Sequence, residues 1–333
     1  MMTRTLADVP AVTLPEDYAL QMPSYLARMA ADHGPIFRAQ LWSDVSVLFM
    51  IGPEANRLIL QTHRDHFSND RGWTPIIGNV FGKGLLNMDD PEHARDRKLM
   101  NPAFTLAYME RYLPIMQRVI AERMREAVAQ SVTDVYAEAR KITFDVAAEA
   151  LVGIQRREER DRLRDLFYKI LGAQFNANIQ TEEEWLAFIG PVRRELDDLL
   201  LALIAARRNA PPEAYSDDVL ALLVHARDEQ GRALSDEQLL GHVNILLVAG
   251  HETSTSLSAW LLYELATHPE YLARVHAELD ELLSGAKTPI TLEALKAMRV
   301  LGNAMTEAGR LHPPAGNVPR GVVKSFEFHG YSI

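Results

Sequence analysis

The sequence predicts a mainly α fold with a small β-sheet. Three observations point there. A helical pattern runs almost unbroken from Asp90 to Leu311, most segments carry recognisable start or stop residues, and strand patterning is confined to residues near 36–51 and 326–333. The 333 residues are 47% hydrophobic and 24% charged, an ordinary globular composition that excludes disordered and collagen-like classes.

Taken in order, Ser24 to Asp32 reads as a short helix ended by His33-Gly34-Pro35. Ile36 to Trp42 and Val45 to Ile51 read as two strands around a Ser43-Asp44 turn. Gly52-Pro53 opens a helix through Gln61, and the glycine-rich Phe67 to Asn87 reads as a long functional or mobile loop. Asp90 suits a helix cap and Pro91 a first helical position. Further helices fit Leu106 to Gln130, Val132 to Leu151, Arg157 to Ala173 and Glu182 to Arg208. After a break at Asn209 to Pro212, another fits Asp217 to Asp228.

Ser235 and Gln238 form a capping box that opens a helix running to His268. Such a helix is ~48 Å long at 1.5 Å per residue, enough to cross the whole molecule. A last helix fits Leu292 to Leu311, and Phe326 to Ile333 begins strand pairing. With no repeat and no linker, a single domain over 1–333 is expected: 1–89 with small sheet, short helices and loop, 90–312 as helical body, 313–333 as the start of a C-terminal sheet region.

Charge and composition narrow the function. Thirty-five basic residues against 45 acidic ones give a net charge of −10, so no nucleic-acid partner is expected. The chain has no cysteine, which excludes disulfides, thiolate nucleophiles, zinc ribbons, iron–sulfur ligation and any cysteine-ligated haem within it. The longest apolar run, Leu199 to Ala206, is far short of the ~18 residues of a membrane span. Met1 to Asp17 shows neither a signal core nor an arginine-rich transit pattern, so a cytoplasmic protein is expected.

Three groups of residues could carry chemistry. In the long helix, Ala249-Gly250 is a thin spot where a flat group could lie against the backbone, followed by Glu252 and Thr253, an acid–alcohol pair suited to proton relay. The bland alternative is a core helix with a close crossing at Gly250 and hydroxyls bonded to the preceding turn. A zinc-protease helix is excluded, because Thr255 stands where the second histidine belongs. His93 and Arg97 lie one turn apart on a helix face and could grip carboxylates or phosphates, the alternative being a solvated basic stripe with Arg95 and Lys98. Glu307 and Arg310 form an i,i+3 ion pair before His312-Pro313-Pro314, and Arg320 follows.

Together these residues resemble the cytochrome P450 family of haem-thiolate monooxygenases. Four elements agree in chain order: HxxxR as His93 and Arg97, (A/G)Gx(D/E)T(T/S) as Ala249 to Ser254, ExxR as Glu307 and Arg310, and the proline-rich turn and strand with Arg320. Gly34-Pro35-Ile36-Phe37-Arg38 and Gly52-Pro53-Glu54 also look like that family's opening sheet and helix. The resemblance implies a helical fold around haem. His93, Arg97 and Arg320 would hold its propionates, Ala249 and Gly250 would border the oxygen pocket, and Glu252 and Thr253 would deliver protons. Glu307 and Arg310 would form a structural ion pair. It further implies oxidation of a hydrophobic small molecule, with electrons from a ferredoxin or flavodoxin and its reductase.

The chain departs from the family at one point. The family's haem-ligand cysteine lies downstream of the ExxR helix, and here no metal ligand of that kind exists. A member truncated before the cysteine loop, with a fold incomplete at its C-terminus and inactive alone, is therefore expected. Its rivals are a non-catalytic helical protein that binds an apolar ligand or partner, and a haem protein ligated by histidine. Substrate-lining residues are expected in Phe67 to Asn87 and Phe167 to Ile189.

Overall fold

The computed structural model of the protein describes residues 4–15, 18, 21–41, 46–173, 181–211, 218–283 and 289–333. The chain forms two compact units, Met1–Pro75 with Gly316–Ile333, and Ile76–Ala315.

The first unit carries β1 (Arg4–Thr5), β2 (Ala11–Val12), α1 (Met22–His33), β3 (Ile36–Gln40), β4 (Ser46–Met50), α2 (Pro53–Arg57), β5 (Phe67–Ser68), α3 (Asn69–Trp73), β6 (Gly321–Val322), β7 (Glu327–Phe328) and β8 (Tyr331–Ser332). Three small sheets result, ordered β1-β8-β7, β2-β3-β4 and β5-β6. β3 and β4 run antiparallel with Phe37 opposite Phe49, and the rings stack at 5.3 Å. The expected Ser43-Asp44 turn between them lies outside the described residues. β7 and β8 close through His329 and Gly330 at φ 48° and 79°, the left-handed pair that a two-residue hairpin turn requires. Val9, Ile36, Ala55, Phe326, Phe328 and Tyr331 fill this unit's core.

The helix opened by Pro53 stops at Arg57, not Gln61. Residues 58–62 wind wider, with His63 N donating to Leu58 O five residues back.

The second unit is helical: α4 (Asn79–Phe81), α5 (Glu92–Met100), α6 (Leu106–Val128), α7 (Val135–Val152), α8 (Arg157–Gly172), α9 (Glu182–Asn209), α10 (Val219–His225), α11 (Asp236–Thr267), α12 (Pro269–Leu283), α13 (Leu292–Ala297) and α14 (Arg299–Leu311). Asp134 caps α7 by accepting from Ala137 N at 3.0 Å, and Asp218 caps α10 by accepting from Ala221 N at 2.8 Å. The single helix expected over Leu292 to Leu311 is two. Glu278 accepts from Val300 N at 2.8 Å and Leu301 N at 3.0 Å, satisfying a second helix start that a continuous helix would not have.

Phe81, Phe144 and Phe167 pack ring against ring in the core of this unit, at centroid distances of 5.8 Å and 5.6 Å to Phe167. Beside them lies a buried ion cluster. The fully buried Asp145 accepts from Arg123 Nε at 2.7 Å and Arg164 Nη1 at 3.0 Å, while Arg160 reaches Glu149 at 2.9 Å. These bonds tie α6, α7 and α8 together.

The expected long loop over Phe67 to Asn87 is largely shaped. Its first part is β5 and α3, and beyond the wider turn at 74–78 come α4 and a short turn over Leu85–Asn87. Buried Asn87 holds the latter turn by accepting from Gly84 N at 2.9 Å and donating to Gly82 O at 3.1 Å. Arg193 of α9 donates to the Val80 carbonyl.

Candidate active site

α11 is 32 residues long and starts as its capping box dictates: Gln238 N donates to Ser235 Oγ at 3.2 Å and Ser235 N to Gln238 Oε1 at 3.0 Å. Leu239, His242, Val243, Asn244, Ile245, Leu247, His251 and Thr255 are buried along it. Midway, Ala249, Gly250, Thr253 and Ser254 are exposed. A segment that follows the buried first half of the helix thus presents small and hydroxyl side chains to open space, with the buried His251 between them.

Gly250 lies against α7, but the contact does not demand a glycine. A Cβ added there would meet Leu151 Cδ1 at 3.5 Å and Ala147 Cβ at 4.0 Å, ordinary contact. The crossing that demands glycine is at Gly241, one of the positions the sequence pattern did not single out, where Lys83 O would lie 1.9 Å from the added atom.

The hydroxyls after Gly250 bond back along the helix. Thr253 donates to Ala249 O at 2.7 Å, Ser254 to Gly250 O at 3.0 Å and Thr255 to His251 O at 2.8 Å. Glu252 turns the other way, toward α7, where Arg140 Nε donates to its Oε1 at 2.9 Å and His251 Nε2 lies 3.0 Å away. Burial alone would raise the Glu252 carboxyl, yet the hydrogen bonds from His251 and Arg140 outweigh it and hold the group below the usual glutamate range. The structure therefore does not bring Glu252 and Thr253 into a mutual hydrogen bond.

On α5, His93 Nδ1 stands 3.6 Å from Asp90 Oδ1, and the exposed Arg97 donates to Asn101 Oδ1 at 3.1 Å. Neither side chain is engaged by a carboxylate at hydrogen-bond distance in these contacts. The helix begins at Glu92, with Pro91 at the cap and Asp90 accepting from Ala94 N at 3.1 Å. Arg95 is not part of a solvated stripe. It donates to Asp96 at 3.0 Å and Asp228 at 2.8 Å, and the fully buried Asp96 meets His242 Nε2 of α11 at 2.9 Å. That acid sat inside the run His93 to Arg97, where its spacing from His242 gave no signal.

Glu307 and Arg310 form a two-bonded pair at 2.8 and 2.7 Å on α14, with side chains 56% and 66% exposed. Next to them, His312 stacks on Trp260 of α11 at 3.7 Å and 4°, and its Nε2 lies 2.7 Å from Glu264 Oε1. Leu262 and Tyr263 are exposed nearby along α11. In the first unit, Gly72 lets the Pro319–Arg320 backbone pass, since its Cβ would lie 2.5 Å from Arg320 Cα. Arg320 Nη1 donates to Pro319 O at 2.8 Å. No group of three or more His, Cys, Asp or Glu side chains among the described residues could hold a metal, and none of their helices is long and apolar enough to cross a membrane. Part of the expected substrate-lining stretch Phe167 to Ile189, residues 174–180, lies outside the described residues.

Comparison with known proteins bears on this arrangement. The family model described as Cytochrome P450 matches residues 13–333. A putative cytochrome P450 136 of Mycobacterium tuberculosis is 29% identical over 318 residues, 93% of this chain and 63% of its own length. The sterol 14alpha-demethylase of Mycolicibacterium vanbaalenii is 27% identical over 335 residues, 96% of this chain and 71% of its own. Among solved structures, the retinoic acid-bound cyanobacterial CYP120A1 superposes with a TM-score of 0.83 and 25% identity, covering 100% of this chain and 75% of that one. The chain spans 63% of the length of the first of these relatives.

Proposed function

The chain belongs to the cytochrome P450 family, and from that premise we propose that it is a haem-dependent monooxygenase polypeptide acting on a hydrophobic small molecule. The observation that carries the reading is the exposure of Ala249, Gly250 and Thr253 after the buried first half of α11, with an acid beside an alcohol. Electrons are proposed to come from a ferredoxin or flavodoxin with its reductase, in the cytoplasm, as the resemblance implies.

The residues fit haem at its edge and one face. His93 and Arg97 lie one helical turn apart with no carboxylate closer than Asp90 at 3.6 Å from His93 in these contacts, and an imidazole beside a guanidinium suits a doubly anionic edge. The small side chains of Ala249 and Gly250 suit a flat apolar face. Arg320 is proposed as a third propionate ligand, and Glu307 with Arg310 as a pair that stiffens α14. The family's haem-ligand cysteine has no counterpart among the 333 residues. Bound haem supplies oxygen-activating iron, and a thiolate ligand favours O–O cleavage. Without a thiol, these residues alone are proposed not to complete that reaction.

What the chain's own groups can do is narrower. Thr253 offers a hydroxyl at the open face once its bond to Ala249 O is exchanged. Glu252 can hold and pass a proton once released from Arg140.

Addition of one equivalent of haem to the purified chain tests the reading. Binding should weaken in His93→Ala and Arg97→Ala, and the reduced carbon monoxide complex should lack a thiolate-type Soret band. Binding that ignores both substitutions would remove the proposed site, and a thiolate-type band would refute the proposed inactivity.

A further inference from the structure

The second unit holds a cavity of about 980 Å³ lined by α5, α10 and residues 226–233, within the size range of small-molecule sites. None of Ala249 to Thr253 lines it, and neither do His93, Arg97 or Arg320. Leu99 and Leu222 are the large apolar side chains of its lining, and Ala94 and Ala226 add small ones. The segment that follows α10 is a fixed wall. Asp228 Oδ1 accepts from Gln230 N at 3.0 Å and Arg232 N at 2.9 Å, Asp228 N donates to Arg232 O at 3.0 Å, and Gly231 takes the left-handed φ of 75° in the turn between them.

Charge singles out one group in this lining. Arg95 Nε and Arg232 Nε both donate to Asp228 Oδ2 at 2.8 Å, and Lys98 bonds Glu229. Glu92 lies in the first turn of α5, where the helix end favours an acid. The exposed Arg227 has no such partner: its Nη1 donates to the Val224 and Ala226 carbonyls at 3.2 and 2.7 Å. Among the described residues nothing accepts from its Nε and Nη2, the guanidinium edge that can hold a carboxylate by two parallel bonds.

We propose that this cavity binds a monocarboxylate with an apolar body, its carboxylate on Arg227 and its body against Leu99 and Leu222. Both halves of such a ligand are needed to satisfy the lining. A bare inorganic anion would leave the apolar side chains wet, and a neutral hydrocarbon would leave the Arg227 edge unanswered. At Arg227 the anion meets a cation without displacing a carboxylate, which it could not do at Arg95, Lys98 or Arg232.

Decanoate and decanol are the probes, titrated into the full chain while alanine methyls are followed by NMR, with the Ala94 and Ala226 signals assigned through Ala94→Ser and Ala226→Ser. Decanoate should shift both methyls saturably. Octanoate should bind about tenfold more weakly, the effect of two methylenes missing from the apolar lining. Arg227→Gln should weaken decanoate about tenfold or more, as expected for hydrogen bonds to a charged group, and decanol less than twofold. Decanoate that leaves the Ala94 and Ala226 methyls unmoved overturns the inference, even if it shifts methyls elsewhere. So does an Arg227→Gln chain that binds decanoate as tightly as wild type, or one that loses decanol as much as decanoate. No haem enters this titration, so its failure and a failure of haem binding through His93 and Arg97 are read separately.

Discussion

Gly241 of α11 and the backbone of Lys83 touch without side chains between them: a Cβ at 241 would lie 1.9 Å from the Lys83 carbonyl oxygen. Gly84 completes the seam, because its own Cβ would lie 2.7 Å from Gly241 O. Backbone cannot rotate out of the way as a side chain can, so the segment around 82–87 is fixed against the helix by the absence of two methyl groups.

Gly241→Ala is accordingly expected to destabilise the protein by at least ~1–3 kcal/mol, the usual cost of overpacking. Gly250→Ala, whose methyl meets Leu151 at 3.5 Å, should be neutral or stabilising by up to ~1 kcal/mol from helix propensity. Urea unfolding of both variants checks the contrast, and equal losses would show that the two glycines play the same role.

Asp145 is fully buried between Arg123 and Arg164. Asp145→Asn keeps the shape and removes the buried charge that two guanidiniums share, leaving them only the part-exposed Glu126 and Asp161. A loss of about 3–5 kcal/mol is expected, the cost of breaking a buried pair. Thermal unfolding reads this directly, and a loss below 1 kcal/mol at Asp145 would mean that solvent reaches the cluster.

Glu126 is held down to about 2 from its ordinary 4.5, chiefly by its hydrogen bond from Arg157 and with help from Arg123. A lowered carboxyl stabilises the fold above its unfolded value and loses that contribution as acid protonates it. The advantage of wild type over Glu126→Gln should therefore be complete above about pH 4.5 and vanish as pH falls toward 2. The pair is half in solvent, so added salt should shrink the difference. Unfolding midpoints measured across that range, at low and high salt, would reveal the reverse slope if the sign is wrong.

Among the described residues, neither side-chain atom of buried Asn244 has a hydrogen-bond partner. An unmet buried polar group costs about 1–3 kcal/mol. Asn244→Leu, which keeps the branched shape, should stabilise the protein, and calorimetry showing a lower unfolding temperature would refute the cost assigned to that amide.

Much of the fold was legible because its signals are local. Ser235 and Gln238 announce the start of α11, and Pro53, Gly34 and the His312-Pro313-Pro314 run mark ends within a few residues of where they fall. What was not legible depends on partners far along the chain. Met298 looks like any helical residue until Glu278 supplies a second helix start there. Gly241 resembles any helical glycine until Lys83 arrives. Arg140 carries no mark of its bond to Glu252, 112 positions away. Spacing could put His93 and Arg97 on one face, but not that Asp96 between them turns inward to His242.

The same separation has a consequence during synthesis. Arg140, Phe144 and Thr143 leave the ribosome about 6 to 20 seconds before Glu252, His251 and Thr255, their counterparts on α11, at typical elongation rates of about 5–20 residues per second. For that interval the nascent helix shows an unmatched guanidinium beside a bare aromatic surface, the kind of half-built surface that chaperones bind. Translation speed over residues 150 to 250 is thus a variable that this protein's yield should feel.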